Sequence, residues 1–99
     1  MSSEMRHTEI INRKGLHARA SAKLAELALG LPAVVTVSFE GESADARSIM
    51  DLLCLGAGIG SEVELSAEGD GAAQSLDAVE GLFRDGFGEL KEDAACACK

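Results

Sequence analysis

The sequence predicts an α+β fold, an open-faced β-sandwich in which a four-stranded antiparallel sheet is covered by helices on one side, in the order β-α-β-β-α-β-α. Two observations carry that expectation. Short segments alternate apolar and polar residues with a period of two, most regularly Glu62 to Glu68 (EVELSAE). Two longer segments place apolar residues at helical spacing. Amphipathic strands and helices of this kind bury their apolar faces against one another in two layers.

The first strand is expected from Met5 to Asn12, where Thr8, Ile10 and Ile11 are β-branched, and a polar loop follows to Gly15. From Ala18 to Ala28, Ala20, Leu24, Leu27 and Ala28 share a helical face, and Gly30 and Pro32 stop the helix. Ala33 to Phe39 (AVVTVSF) reads as a strand with Val35, Val37 and Phe39 on one side. The Glu40-Gly41-Glu42 stretch is a hairpin turn into a short strand near Ser43 to Ala46. Ser48 to Leu55 is a short helix with Ser48 or its predecessor as its cap, and Ala57 to Ser61 (AGIGS) is a turn before the fourth strand. The last helix is expected from about Ala72 to Leu90, with Leu76, Val79, Phe83, Phe87 and Leu90 on its apolar face. Gly81, Gly86 and Gly88 weaken that helix and favour an early stop. Residues 1–90 form a single domain, and 91–99 (KEDAACACK) are expected to be a disordered tail.

Composition narrows the function. With no Trp or Tyr and three Phe, the chain lacks the stacking surfaces that single-stranded nucleic acid needs, and a net charge of −8 repels phosphate backbones. No apolar run approaches a membrane span and no secretory leader is evident, so no membrane insertion and a cytoplasmic location are expected. Three cysteines, two of them in the tail, suggest no disulfide framework. Cys54 is expected to pack as a small apolar residue, and neither a metal site nor a cofactor is expected.

Charge is unevenly spread. No acid lies between Glu9 and Glu26, while Arg13, Lys14, Arg19 and Lys23 cluster there around His17. A helix starting at Ala18 points unpaired N–H groups towards the His17 ring and favours a negative ligand. Arg19 adds a guanidinium with the forked geometry that suits phosphate oxygens. A histidine beside such a cradle can accept a phosphoryl group on a ring nitrogen. From these residues alone, a capping or solvated surface histidine stays open as the alternative.

Gly15-Leu16-His17-Ala18-Arg19-Ala20 resembles the active-site signature of HPr, the histidine-containing phosphocarrier of the bacterial phosphoenolpyruvate-dependent phosphotransferase system. Arg47-Ser48-Ile49-Met50-Asp51-Leu52-Leu53, followed by Leu55-Gly56-Ala57-Gly58, resembles the second signature of that family, around its regulatory serine. The resemblance spans about residues 5 to 90. It implies phosphorylation of His17 through the ring nitrogen facing the helix start, with Arg19 and the amides of Ala18 and Arg19 stabilising the phosphohistidine. It implies phosphoryl transfer from enzyme I to a histidine of an enzyme IIA-type protein, a carrier's role more than that of an independent enzyme. It makes Ser48 a candidate for an HPr kinase/phosphorylase, and it groups Arg47, Ile49, Met50, Leu53 and Ala20 into an expected docking surface of a monomer. Ala20 departs from the proline of many sugar-type carriers and is more like the nitrogen-type branch, which leaves sugar uptake and nitrogen or carbon regulation both open. Two other functions are weighed: a regulatory binding module controlled at Ser48, and a small acyl-phosphate hydrolase.

Overall fold

The computed structural model describes residues 3–90; the expected tail at 91–99, with Cys96 and Cys98, lies outside them. The elements run β1 (Ser3–Glu9), α1 (Ala18–Leu29), β2 (Val34–Phe39), β3 (Glu42–Asp45), α2 (Ile49–Leu55), β4 (Glu62–Glu68) and α3 (Ala72–Arg84), closed by a 3-10 turn at Gly86–Gly88. The sheet order is β1-β4-β2-β3 with every pair antiparallel, so β4 lies inside and β1 and β3 form the edges.

Alternation along the strands sets which face is covered. Val35 and Val37 of β2 and Val63, Leu65 and Ala67 of β4 are all buried, and they meet Leu24, Leu76, Val79 and Phe83 of α1 and α3 in one core. On the same face of β1, Arg6 is tied to Asp77 and Glu80 of α3, which fastens the edge strand to the helix. The opposite face carries Glu62, Glu64, Ser66, Thr36 and Ser38, and among the described residues no helix lies over it. This is the open-faced sandwich the alternation predicts.

The hairpin between β2 and β3 has positive φ at both Glu40 (49°) and Gly41 (83°), the backbone twist that matches two antiparallel strands. Ser48 is the N-cap of α2, with its hydroxyl accepting from the Asp51 amide at 3.3 Å. Replacing it with alanine is expected to cost about 1 kcal/mol. Ser48→Asp, which keeps a capping oxygen, is expected to leave the urea midpoint nearly unchanged.

Three expectations are corrected. The first strand ends at Glu9; Ile10 instead exchanges backbone bonds with Ser61 (2.9 Å) and Gly60 (2.8 Å), which ties the first loop to the turn before β4. Cys54 is exposed, because it lies on the outer face of α2 opposite fully buried Leu52. The last helix stops at Arg84 and does not continue to Leu90. Gly86, Phe87 and Gly88 have φ of 62°, 56° and 74°, three consecutive left-handed residues that no right-handed helix can hold. Phe87 still reaches the core, edge-on to Phe83 with ring centroids 4.9 Å apart, but a turn delivers it there.

Candidate functional site

Two loops build the site. Residues 10–16 come from β1 and residues 57–61 from α2, and the Leu16 amide donates to Ala57 carbonyl at 3.0 Å. Gly15 has φ +63° and lies so close to the second loop that a Cβ there would sit 2.5 Å from the Ala57 oxygen and 2.6 Å from the Gly58 Cα. Glycine is therefore required both for the turn and for the approach. Ser21 of α1 donates its hydroxyl to Leu16 carbonyl at 3.3 Å, so the loop is fastened from both sides.

His17 follows as the N-cap of α1, with extended backbone (φ −81°, ψ −178°). Its Nδ1 accepts from the Arg19 amide at 3.3 Å. The Ser21 amide closes the first helical bond to His17 carbonyl, so the amides before it lie outside the helical ladder, that of Arg19 meeting the His17 ring. The ring is 24% exposed, enough for a partner to reach it, and Arg19 is exposed beside it. The structure thus brings together His17, Ala18 and Arg19 at one helix start, as the spacing predicts.

The expected acid-free surroundings do not hold in three dimensions. Glu89 lies 72 residues from His17 in sequence, yet its Oε2 is 2.6 Å from the His17 Nε2. Its other oxygen accepts from Asn12 Nδ2 at 3.1 Å, and the same amide group donates to Gly15 carbonyl at 2.9 Å. Glu89 is 3% exposed and Asn12 is fully buried. Sequence reasoning missed both residues. The available signal was Gly86-Phe87-Gly88, where glycines flank an apolar residue and can turn the chain back on itself.

The expected docking residues divide. Met50 is 68% and Ile49 40% exposed, Leu53 is half-buried, and Leu52 faces inward. Arg47 forms a forked pair with Asp45, at 3.0 Å from Nε and 2.7 Å from Nη2, and its backbone amide adds a third bond. These bonds hold the Asp45 carboxyl below its ordinary range, its side-chain bond from Arg47 first among the causes. Ala20 leaves the docking set: it has no exposed area, because it is on the side of α1 that packs into the core. Among the described residues no cluster of His, Cys, Asp and Glu could hold a metal ion, and no helix is long and apolar enough to cross a membrane.

Similarity to known proteins agrees with this geometry. A family model described as "PTS HPr component phosphorylation site" matches residues 5–85. The chain is 48% identical to phosphocarrier protein HPr of Cupriavidus necator over 84 residues, 85% of this chain and 94% of the relative. It is 42% identical to phosphocarrier protein NPr of Escherichia coli over 82 residues, 82% of this chain and 91% of that one. Among solved structures, HPr-C-His from Thermoanaerobacter tengcongensis superposes with a TM-score of 0.82 at 35% identity, covering 87% of this chain and 97% of the other. With the order β-α-β-β-α-β-α and a histidine capping its first helix, the chain belongs to the HPr family of phosphocarriers of the phosphotransferase system.

Proposed function

We propose that this protein accepts a phosphoryl group on Nδ1 of His17 from phosphorylated enzyme I, with phosphoenolpyruvate as the ultimate source, and passes it to a histidine of an enzyme IIA-type protein. The observation that carries this reading is the bond from the Arg19 amide to Nδ1. It marks Nδ1 as the ring atom with a lone pair directed at the helix start. A phosphoryl group there meets the backbone amides of Ala18 and Arg19 and the positive end of α1. Arg19 supports the phosphohistidine with its guanidinium. The exposed Ile49 and Met50, with Leu53 and Arg47 at their margin, supply an apolar docking surface with a charged rim. Met50 is flexible enough to fit more than one partner. The carrier acts as a monomer in the cytoplasm, and Ser48 is its candidate site for an HPr kinase/phosphorylase. Belonging to a carrier family sets aside the acyl-phosphate hydrolase, which would release phosphate instead of holding it.

Intact-mass analysis after incubation with phosphoenolpyruvate and purified enzyme I tests this. One added phosphate is expected, acid-labile, alkali-stable and absent from His17→Ala. Arg19→Ala is expected to fold normally and to lose the phosphate about tenfold faster, the loss of one charge-assisted contact of about 1.4 kcal/mol. No phosphate in the presence of active enzyme I would overturn the reading.

A further inference from the structure

His17 is held at both ring nitrogens, and the second contact has a consequence for the chemistry that the phosphoryl cradle alone does not supply. An N–H from the Arg19 backbone points at Nδ1, so in the neutral ring Nδ1 is the acceptor and the proton sits on Nε2. Nε2 then donates to Glu89 Oε2 at 2.6 Å, shorter than an ordinary N–H···O bond. Glu89 cannot drift, because Asn12 Nδ2 holds its second oxygen. Asn12 is fixed in turn: its amide group faces two acceptors, Gly15 carbonyl and Glu89, so the NH2 end must point at them. The opposite end, Asn12 Oδ1, is buried and bonds to none of the described residues, so the orientation is not chosen for that atom's benefit.

The backbone that presents Glu89 is strained. Phe87 is a non-glycine residue at φ 56°, a left-handed backbone that side chains disfavour. Its buried ring and the bond from Lys23 Nζ to Phe87 carbonyl, at 2.6 Å, hold the turn. The turn that delivers Phe87 to the core also places a nearly buried carboxylate beside Nε2 of the His17 ring.

We propose that Glu89, fixed by Asn12, is a positioning residue for phosphoryl transfer: it keeps the His17 proton on Nε2, leaves the Nδ1 lone pair for phosphorus, and stays paired with the imidazolium that forms. The inference rests on Nδ1 of His17 being the phosphoryl acceptor. The Nδ1 lone pair forms the new N–P bond to the phosphoryl group of a phosphohistidine donor. The donor's P–N bond breaks and its electron pair returns to the donor imidazole. The Nε2 proton stays in place, so the phosphorylated ring carries a positive charge that the Glu89 carboxylate balances. On delivery to the next imidazole the His17–phosphorus bond breaks, its pair returns to Nδ1, and the same neutral tautomer is restored. No proton has to be taken up or released in either direction.

The test combines ring 15N NMR of the unphosphorylated protein with transfer rates from phosphorylated enzyme I, for wild type, Glu89→Gln and Glu89→Ala. The wild-type neutral ring is expected to show a protonated Nε2 and an unprotonated Nδ1. In Glu89→Ala the two tautomers are expected to mix, and the transfer rate to fall at least about tenfold with an altered pH profile. Glu89→Gln, which preserves shape without charge, is expected to melt cooperatively like wild type yet transfer more slowly. A merely structural role would move neither the tautomer nor the pH profile. A protonated Nδ1 in wild type overturns the proposal, even if both variants fail to fold. Wild-type tautomer and wild-type rate in Glu89→Ala overturn it too. A phosphate that persists in His17→Ala overturns the acceptor assignment instead, and the spectra of the unphosphorylated ring separate that failure from this one.

Discussion

Gly15→Ala is expected to destabilise the protein by about 2–5 kcal/mol, the sum of two costs. A β-carbon at φ +63° costs about 1–2 kcal/mol from backbone sterics alone. The same carbon would overlap the Ala57 oxygen and the Gly58 Cα, both backbone atoms that no rotamer change can move. The loops must part, and the Leu16–Ala57 bond goes with them, for about a further 1–3 kcal/mol. For a domain of this size that lowers the melting temperature by about 8–40 °C. Gly56→Ala separates the two costs. Gly56 has φ +66° but open space around its missing Cβ, so only the steric part, about 1–2 kcal/mol, should appear. Urea unfolding of both variants checks this; equal losses would show that the approach of the two loops contributes nothing. Gly15→Ala should also slow phosphoryl acceptance, because the loop it displaces carries both Asn12 and His17.

Phe87→Ala is expected to cost about 3–5 kcal/mol, the range for removing a fully buried aromatic ring. The ring has no exposed area and stands edge-on to Phe83, an arrangement that adds about 0.5–1.5 kcal/mol beyond simple burial. Alanine keeps the strained φ of 56° but loses the packing that offsets it. The turn should therefore loosen before the sheet does. Hydrogen exchange at Glu89 is expected to become faster than at Leu65, and the urea midpoint to fall. An unchanged midpoint would mean that the turn holds without its ring.

Local signals explain what was legible in the sequence. The fourth strand alternates strictly and matches its expected bounds, Glu62–Glu68, because its two faces meet different environments. The Ser48 cap and the Glu40-Gly41 turn were readable because each depends on the chemistry of two or three adjacent residues. His17, Ala18 and Arg19 came together because a helix start organises its own neighbours. The end of α3 misled because Phe87 falls four residues after Phe83, a helical interval, although a left-handed turn brings it to the same core. Helical spacing with Leu24 and Ala28 already put Ala20 on the apolar face of α1, and its complete burial overrules the docking role that the resemblance implied. Glu89 could not be found by periodicity at all: it belongs to no element shared with His17, and only the closed fold makes them neighbours.

That separation also sets an order in time. A polypeptide is made from its amino end at about 5–20 residues per second, so Glu89 follows His17 out of the peptidyl transferase centre by about 4–14 s. For the first part of that interval β1 also lacks β4, its one partner in the sheet among the described residues. A nascent chain thus displays its signature histidine well before the carboxylate beneath the ring has been made. The finished arrangement around Nε2 exists only in chains that have been translated and folded through the final turn.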